Sequence, residues 1–259
     1  MQNKLETYEI FNFLEEKAVQ YNCSDFIDSD PVQIPHLFTK KEDIETSAFF
    51  ASALAWGNRK AIIQSAHRLM ERMDFSPQDF IVNSSAKEID MFSDFKYRTF
   101  NGEDCKFFIR SLKNIYLKEG GLQAVFEKMC NKKDTIEDAL IYFRNVFFCV
   151  PHQKRSEKHI SDIAKKSAAK RLNLFLRWMV RKDKAGVDFG LWSGIRASQL
   201  LIPLDLHSGN VARKLGLLTR EQNDLKAVHE LMHVLRKFDA NDPVKYDYAL
   251  FGLGVFEKF

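Results

Sequence analysis

The sequence predicts an all-α protein, and three observations carry that prediction. Glycine and proline number only 11 and 6 in 259 residues, about half of ordinary usage, which leaves too few turn formers for a sandwich or a propeller. Large apolar residues are abundant, with 23 phenylalanines and a hydrophobic content of 45%. Apolar positions recur at helical spacing along most of the chain, and no run reads as a convincing strand. The length suffices for one large domain or two small lobes with a true core, and the balance of apolar to charged residues excludes a largely disordered chain.

The elements follow in order. A first helix is expected over about Leu5–Tyr21, where Tyr8, Ile10, Phe11, Phe13 and Leu14 are apolar. Pro31 and Pro35 then break SDPVQIPHLF into an extended linker. KEDIETSAFFASALAWG gives a helix from Lys41 to Trp56, acidic in its first turn and ended near Gly57. Another helix runs from Asn58 to Arg72, and Ser76–Pro77 starts a short one. Ala86–Phe100 reads as a loop or short turns. Helices then fit Asn101–Lys118, Leu122–Cys130 and Thr135–Phe148, and Val150–Pro151 breaks the chain. A helix is expected over Ser161–Lys182, with Leu172, Phe175, Leu176 and Met179 as its buried stripe. GVDFGLWSGIRASQLLIPLD is irregular. Helices follow at Leu206–Leu215, Arg220–Phe238 and Pro243–Phe256, the last with Asp242 as N-cap and proline at its first position.

Cys23, Cys105, Cys130 and Cys149 are dispersed, with no CxxC pair, so no cysteine zinc site or iron–sulfur loop is expected and reduced thiols in a cytoplasmic protein are the plain reading. The opening MQNKLETYEIFNFLEEKAV lacks the apolar block of a cleavable signal, and no 18-residue apolar run is present to span a membrane. Net charge is +4, but it is uneven: between His152 and Lys184 stand 11 Lys/Arg against 3 Asp/Glu. A basic segment on a mildly acidic body suggests a surface for a polyanion, or simply a solvated helix face.

Three constellations carry possible chemistry. His229-Glu230-Leu231-Met232-His233 is a formal HExxH, with two histidines on one helix face and a glutamate as base, which is the pattern of a zinc hydrolase. Against it, the core stripe Leu225, Val228, Met232, Leu235 and Phe238 leaves both histidines beside the core, and no HxxGxxH extension follows. The second is Ile202-Pro203-Leu204-Asp205-Leu206-His207, which places Asp205 where an extended apolar run becomes a helix. There an aspartate is both an N-cap and a carboxylate kept ionised by the helix dipole; His207 reads as a local hydrogen-bonding residue. The third is the stripe Lys166, Lys170, Asn173, Arg177 and Arg181 beside the apolar face of the basic helix. A lysine between two such stripes is partly desolvated and crowded by cations, both of which favour a nucleophilic amine; the plain alternative is a phosphate-binding or solvated lysine.

KRLNLFLRWMVR, a glycine-bearing loop, and IPLDLH running into ARKLGL together resemble the active-site half of the helix-hairpin-helix (HhH-GPD) DNA glycosylases, and in style the archaeal 8-oxoguanine enzymes most of all. A fuller resemblance, across nearly the whole chain, is to a bacterial family of uncharacterised proteins distantly related to those glycosylases; it rests on FFASALAWGNRKAI, FKYRTFNGEDCKFFIRSL, KRLNLFLRWMVR, IPLDLHSGNVARKLGL and DPVKYDYALFGLG. The resemblance implies an all-α, two-lobed HhH-GPD-like fold with a cleft between the lobes, one lobe of residues 1–40 plus 203–259 and a central lobe of 41–202. It implies damaged duplex DNA as partner, no cofactor, no membrane, and a monomer. Asp205 falls on the catalytic aspartate of the glycosylases and Lys170 near their Schiff-base lysine. Lys154, Lys166, Arg177 and Arg181, with Asn58 and Arg59, fall where DNA contacts are expected. Trp178, Trp192 and His207 fall near the base pocket, with Phe175 a further stacking candidate that helical spacing assigns to the core. The expected function is base excision of an oxidised purine with associated abasic-site lyase activity; the alternative is a non-catalytic DNA- or RNA-binding module on the same fold. The family's Leu-Pro-Gly-x-Gly hairpin is missing, and GVDFGLWSGI stands in its place.

Overall fold

The computed structural model describes residues 7–130 and 135–259, and these are predominantly helical. In chain order the helices are α1 (Thr7–Tyr21), α2 (Ser24–Ser29), α3 (Lys41–Ala53), α4 (Arg59–Glu71), α5 (Pro77–Asn83), α6 (Ala86–Asp90), α7 (Gly102–Lys118), α8 (Leu122–Cys130), α9 (Glu137–Phe147), α10 (Lys170–Val180), α11 (Leu206–Lys214), α12 (Leu225–Phe238) and α13 (Tyr246–Phe256). The expected start of the first helix at Leu5 lies outside the described residues. The Pro31/Pro35 segment forms two short 3-10 turns rather than an extended linker. Where only loop and turns were expected, α6 is followed by a small antiparallel hairpin of β1 (Lys96–Tyr97) and β2 (Phe100–Asn101). Two residues per strand are too few to show an alternation in sequence.

The chain divides into two compact units, Ile27–Asp162 and Met1–Phe26 with Ile163–Phe259. In the Ile27–Asp162 unit, α3 is buried along nearly its whole length from Ile44. Its Phe49 meets Phe108 of α7 and Phe143 and Phe147 of α9, with ring centroids 5.9, 5.6 and 5.5 Å apart. Such aromatic pairs add to area burial by about 0.5–1.5 kcal/mol each, which accounts for the phenylalanine content. The start of α7 is pinned by a buried carboxylate. Asp104 accepts from Arg155 Nη1 at 2.6 Å, from Ser156 Oγ at 2.6 Å and from the Asn101 amide at 3.0 Å, and its Oδ2 lies 3.2 Å from His159 Nε2.

In the other unit, α13 packs against α1 and α11. The basic helix belongs here, not to a central lobe as the expected division had it. Its guanidiniums reach aspartates of the C-terminal segment, Arg177 to Asp247 and Arg181 to Asp242. It is also shorter than expected, because Lys166 and Ala169 have left-handed φ of 66° and 48°. The Lys166 carbonyl accepts instead from the Leu225 amide at 2.9 Å, and Ser167 bridges Asp224. That tie fixes the start of α12, where Asp224 caps Lys226 and Ala227 five residues later than the spacing suggested. Asp242 does not cap the last helix; its carboxylate goes to Arg181 at 2.9 Å, and a 3-10 turn over Pro243–Lys245 leads into α13. Among the described residues no helix is long and apolar enough to cross a membrane.

Candidate active site

Lys170 is the first residue of α10, and Asp205 is the N-cap of α11. The fold brings Lys170 Nζ to 3.8 Å from Asp205 Oδ2, with 27% of the lysine side chain and 20% of the aspartate side chain exposed. Asp205 is held firmly. Its Oδ1 accepts from the Ser208 amide at 3.0 Å, and the Asp205 amide donates to Ser208 Oγ at 3.0 Å, closing a capping box. Asn223 Nδ2 donates to the Asp205 carbonyl at 2.8 Å, and Arg213 Nη2 holds Asn223 Oδ1 at 2.6 Å. Gly209 permits this approach, since a Cβ there would sit 2.7 Å from Asn223 Oδ1. With Oδ1 committed to the cap, Oδ2 is the oxygen that faces the amine.

Around the pair lies a buried charge network. Arg177 Nη1 pairs with Asp247 Oδ2, and Arg177 Nε lies 3.3 Å from Asp188 Oδ1. Arg181 Nη1 reaches Asp188 Oδ2 at 3.1 Å and Asp183 at 2.7 Å. The Arg177 guanidinium also lies 4.1 Å from the centre of the buried Tyr248 ring. Burial pushes the Asp247 carboxyl up to about 7; Arg177 and Lys170 oppose that rise, and Asp205 and Asp188 add to it. Burial alone would lower Arg181, yet Asp188, Asp242 and Asp183 hold it above the ordinary arginine range.

Of the other expected site residues, Asn58, Arg59 and Lys154 belong to the Ile27–Asp162 unit, and Lys166, Arg177, Arg181, Trp178, Trp192 and His207 to the unit that holds the pair. Arg177 and Arg181 are buried and committed to aspartates, so the expectation that they meet phosphates is corrected. The two arginines of a mainly basic stripe in sequence are here partners for Asp247, Asp188 and Asp242, which come from later in the chain. Trp178 and Trp192 are fully buried, and Trp192 packs edge-on against Phe175 at 5.3 Å. Neither indole presents a face to a base, which corrects their placement in a stacking pocket. Lys154 and Lys166 are exposed. Asn58 Oδ1 caps α4 by accepting from Ala61 at 3.1 Å, and Arg59 Nη1 reaches the Ser29 carbonyl at 3.4 Å. His207 is exposed next to Asp205, and its ring is edge-on to Phe251 at 6.4 Å.

For the HExxH string, His229 and His233 are exposed on α12, while Glu230 accepts from the backbone and hydroxyl of Thr219, which hold its carboxyl below the usual glutamate range. Among the described residues no three His, Cys, Asp or Glu side chains group to hold a metal ion.

Asp188, Asp247 and Asn223 were not singled out from the sequence. Asp247 stands in DPVKYDYALFGLG, and its burial among apolar neighbours at helical spacing was the only available signal. An amine beside a carboxylate can attack an electrophilic carbon while the carboxylate takes up or steers the proton.

Fold and site together define a predominantly helical protein with a part-exposed lysine–aspartate pair set on a buried ionic network. The chain belongs to the family described as Protein of unknown function (DUF2400), whose model matches residues 30–256. No curated protein and no solved structure matches it.

Proposed function

We propose that this protein is a DNA glycosylase that excises an oxidised purine, with an associated lyase step at the abasic site. The observation that carries this reading is the approach of Lys170 Nζ to 3.8 Å from Asp205 Oδ2, two residues nominated separately from sequence and drawn from different helices. The lesion nucleotide is flipped from the stack so that its sugar meets the pair. The bond from C1′ to the base breaks with its electron pair leaving on the base, and the Lys170 amine bonds to C1′. Asp205 stabilises the oxocarbenium-like charge and takes the amine's proton. The C1′–O4′ bond then breaks, O4′ taking back the proton held by Asp205, to give a protonated imine on Lys170; loss of a C2′ proton to the departed base, which left as an anion, expels the 3′ phosphate. Exposed Lys154 and Lys166 hold the backbone. 8-Oxoguanine is the first lesion to test, on resemblance to the archaeal enzymes.

Borohydride trapping tests the reading. The full chain, incubated with duplexes carrying 8-oxoguanine or an abasic site and then reduced, is expected to form a covalent adduct that Lys170→Ala abolishes. Absence of an adduct with every lesion, together with salt-dependent DNA binding, overturns the enzymatic reading in favour of a non-catalytic binding module.

A further inference from the structure

Several local rules are broken at one corner, the entry to α10. Ala169, the residue before Lys170, has a φ of 48°, a left-handed backbone that is costly for a residue with a β-carbon. Among the described residues no side chain caps α10, and a lysine rather than an acid stands at its first position. Asn173, only 1% exposed, is spent on the same corner. Its Nδ2 donates to the Ala168 carbonyl at 3.0 Å, while among the described residues its buried Oδ1 meets no donor. An unmet buried oxygen is a loss that an apolar side chain would avoid.

Strain of this kind persists only where the surroundings over-determine it. The Ala169 amide donates to Ser167 Oγ at 3.2 Å, and the Lys166 carbonyl accepts from the Leu225 amide at 2.9 Å. The Asn173 side chain adds the tie that spans Ala169, joining the carbonyl before it to the helix after it. The consequence falls on Lys170. Side chains of a helix lean toward its N-terminus. If α10 ran back through Ala169, as the apolar spacing predicts, the preceding turn would lie where the Lys170 side chain leans. With the helix stopped at Ala169, the amine clears its end and meets Asp205 Oδ2 at 3.8 Å. The opposite side is braced from the same stretch of chain: Leu225 holds Lys166, and Asn223 Nδ2 holds the Asp205 carbonyl at 2.8 Å.

We propose that Asn173 is a positioning residue of the Lys170–Asp205 site: by holding the Ala168 carbonyl it keeps Ala169 left-handed, ends α10 at Lys170 and aims the amine at the carboxylate. The inference rests on the reading of Lys170 and Asp205 as the reacting pair.

The test is zero-length cross-linking of the full chain with a water-soluble carbodiimide, which joins an amine to a neighbouring carboxylate. Peptide mass spectrometry reads the Lys170–Asp205 link against the Lys17–Glu257 link of the same unit, whose groups lie 2.7 Å apart. Asn173→Leu keeps the branching of the side chain, loses the donor and removes the unmet oxygen. The Lys170–Asp205 link is expected to fall by on the order of tenfold against the reference, while the urea midpoint stays or rises. Adding Ala169→Gly to this variant should restore the link, because glycine takes the left-handed backbone without the tie. If Asn173→Leu does not fold, Asn173→Ser, too short to reach the Ala168 carbonyl, takes its place in both variants. A ratio unchanged in the folded variant, a loss that Ala169→Gly does not restore, or no Lys170–Asp205 link in the unsubstituted chain overturns the proposal. Borohydride trapping is scored separately. A lost and restored link with no adduct on any duplex upholds the proposal and overturns the glycosylase reading; an adduct with an unchanged ratio does the reverse.

Discussion

Asp205 caps α11 with one carboxylate oxygen and meets the Lys170 amine with the other, Oδ1 on the Ser208 amide at 3.0 Å and Oδ2 3.8 Å from Nζ. The two duties separate by substitution. Asp205→Asn keeps an oxygen for the cap and loses the charge, so it should abolish trapping while leaving stability nearly unchanged. Asp205→Ala loses both and should cost about 1 kcal/mol of stability as well. Urea titration beside the trapping assay checks the split; equal stability loss in both variants would show that the amide does not keep the cap.

Two buried carboxylates, Asp104 and Asp247, should respond to pH with opposite signs. Burial pushes Asp104 up, but His159, Ser156, the Asn101 backbone and Arg155 outweigh it and hold this carboxyl well below its ordinary 3.8. Its contribution is therefore complete above pH 3.8 and lost as pH falls further. Asp104→Asn breaks a buried pair and should cost about 3–5 kcal/mol near neutrality, a deficit that narrows only below pH 3.8. Urea titrations from pH 3 to 8 measure it, and a deficit that did not change with pH would contradict the assignment.

Asp247 runs the other way, since its carboxyl is raised from 3.8 to about 7 in the folded chain. Its favourable contribution is complete below pH 3.8 and is lost as pH rises toward 7, because the unfolded chain ionises first. Asp247→Asn removes that loss, so the variant should gain on the unsubstituted chain between pH 4 and 7, by a few kcal/mol at most. A gap between the two that stays constant over that range would mean that Asp247 does not hold its proton in the folded state.

What could be read from sequence divides along physical lines. Helices with an apolar stripe were legible, as at Leu122–Cys130 and at α4, which Asn58 also caps. Asp205 was nominated because it stands where an extended apolar run becomes a helix, and Lys170 because it stands in the string KRLNLFLRWMVR, inside a helix expected over Ser161–Lys182. The partners of Arg177 and Arg181 were not. Asp188 and Asp247 lie 11 and 70 residues from Arg177, and no local pattern tells a guanidinium destined for a buried carboxylate from one destined for solvent. Trp178 was misplaced for the same reason, since a ring on the edge of a basic stripe is exposed only if nothing later in the chain covers it. The late start of α10 depends on Lys166 and Ala169 turning left-handed to meet α12, a tertiary effect that overrides helix propensity.

If Lys154 and Lys166 meet DNA phosphates as proposed, each alanine substitution should weaken binding to every duplex alike and lower the slope of log K against log salt by about 1. Arg177→Met should not act in this way, because that guanidinium is buried against Asp247 and Asp188. Its effect should appear as lost stability. Fluorescence anisotropy across a salt series distinguishes the two, and an unchanged slope in both lysine variants would remove these residues from the interface.

Gly252 gives a purely steric prediction. It lies on the buried side of α13, where Tyr21 of α1 packs so closely that a Cβ would overlap the phenol ring. The ring cannot swing aside freely, because its hydroxyl donates to Glu257 and its face stacks on Phe256 at 5.5 Å. Gly252→Ala gains about 1 kcal/mol of helix propensity and pays about 1–3 kcal/mol or more for the forced shift, so the net effect should be destabilising. Tyr21→Ala alone leaves a cavity and should also destabilise. The double variant relieves the overlap and partly fills the cavity, so its loss should be smaller than the sum of the two single losses, by on the order of 1 kcal/mol or more. Urea unfolding of the four chains measures that coupling; simple additivity would mean that α1 and α13 do not meet at this position.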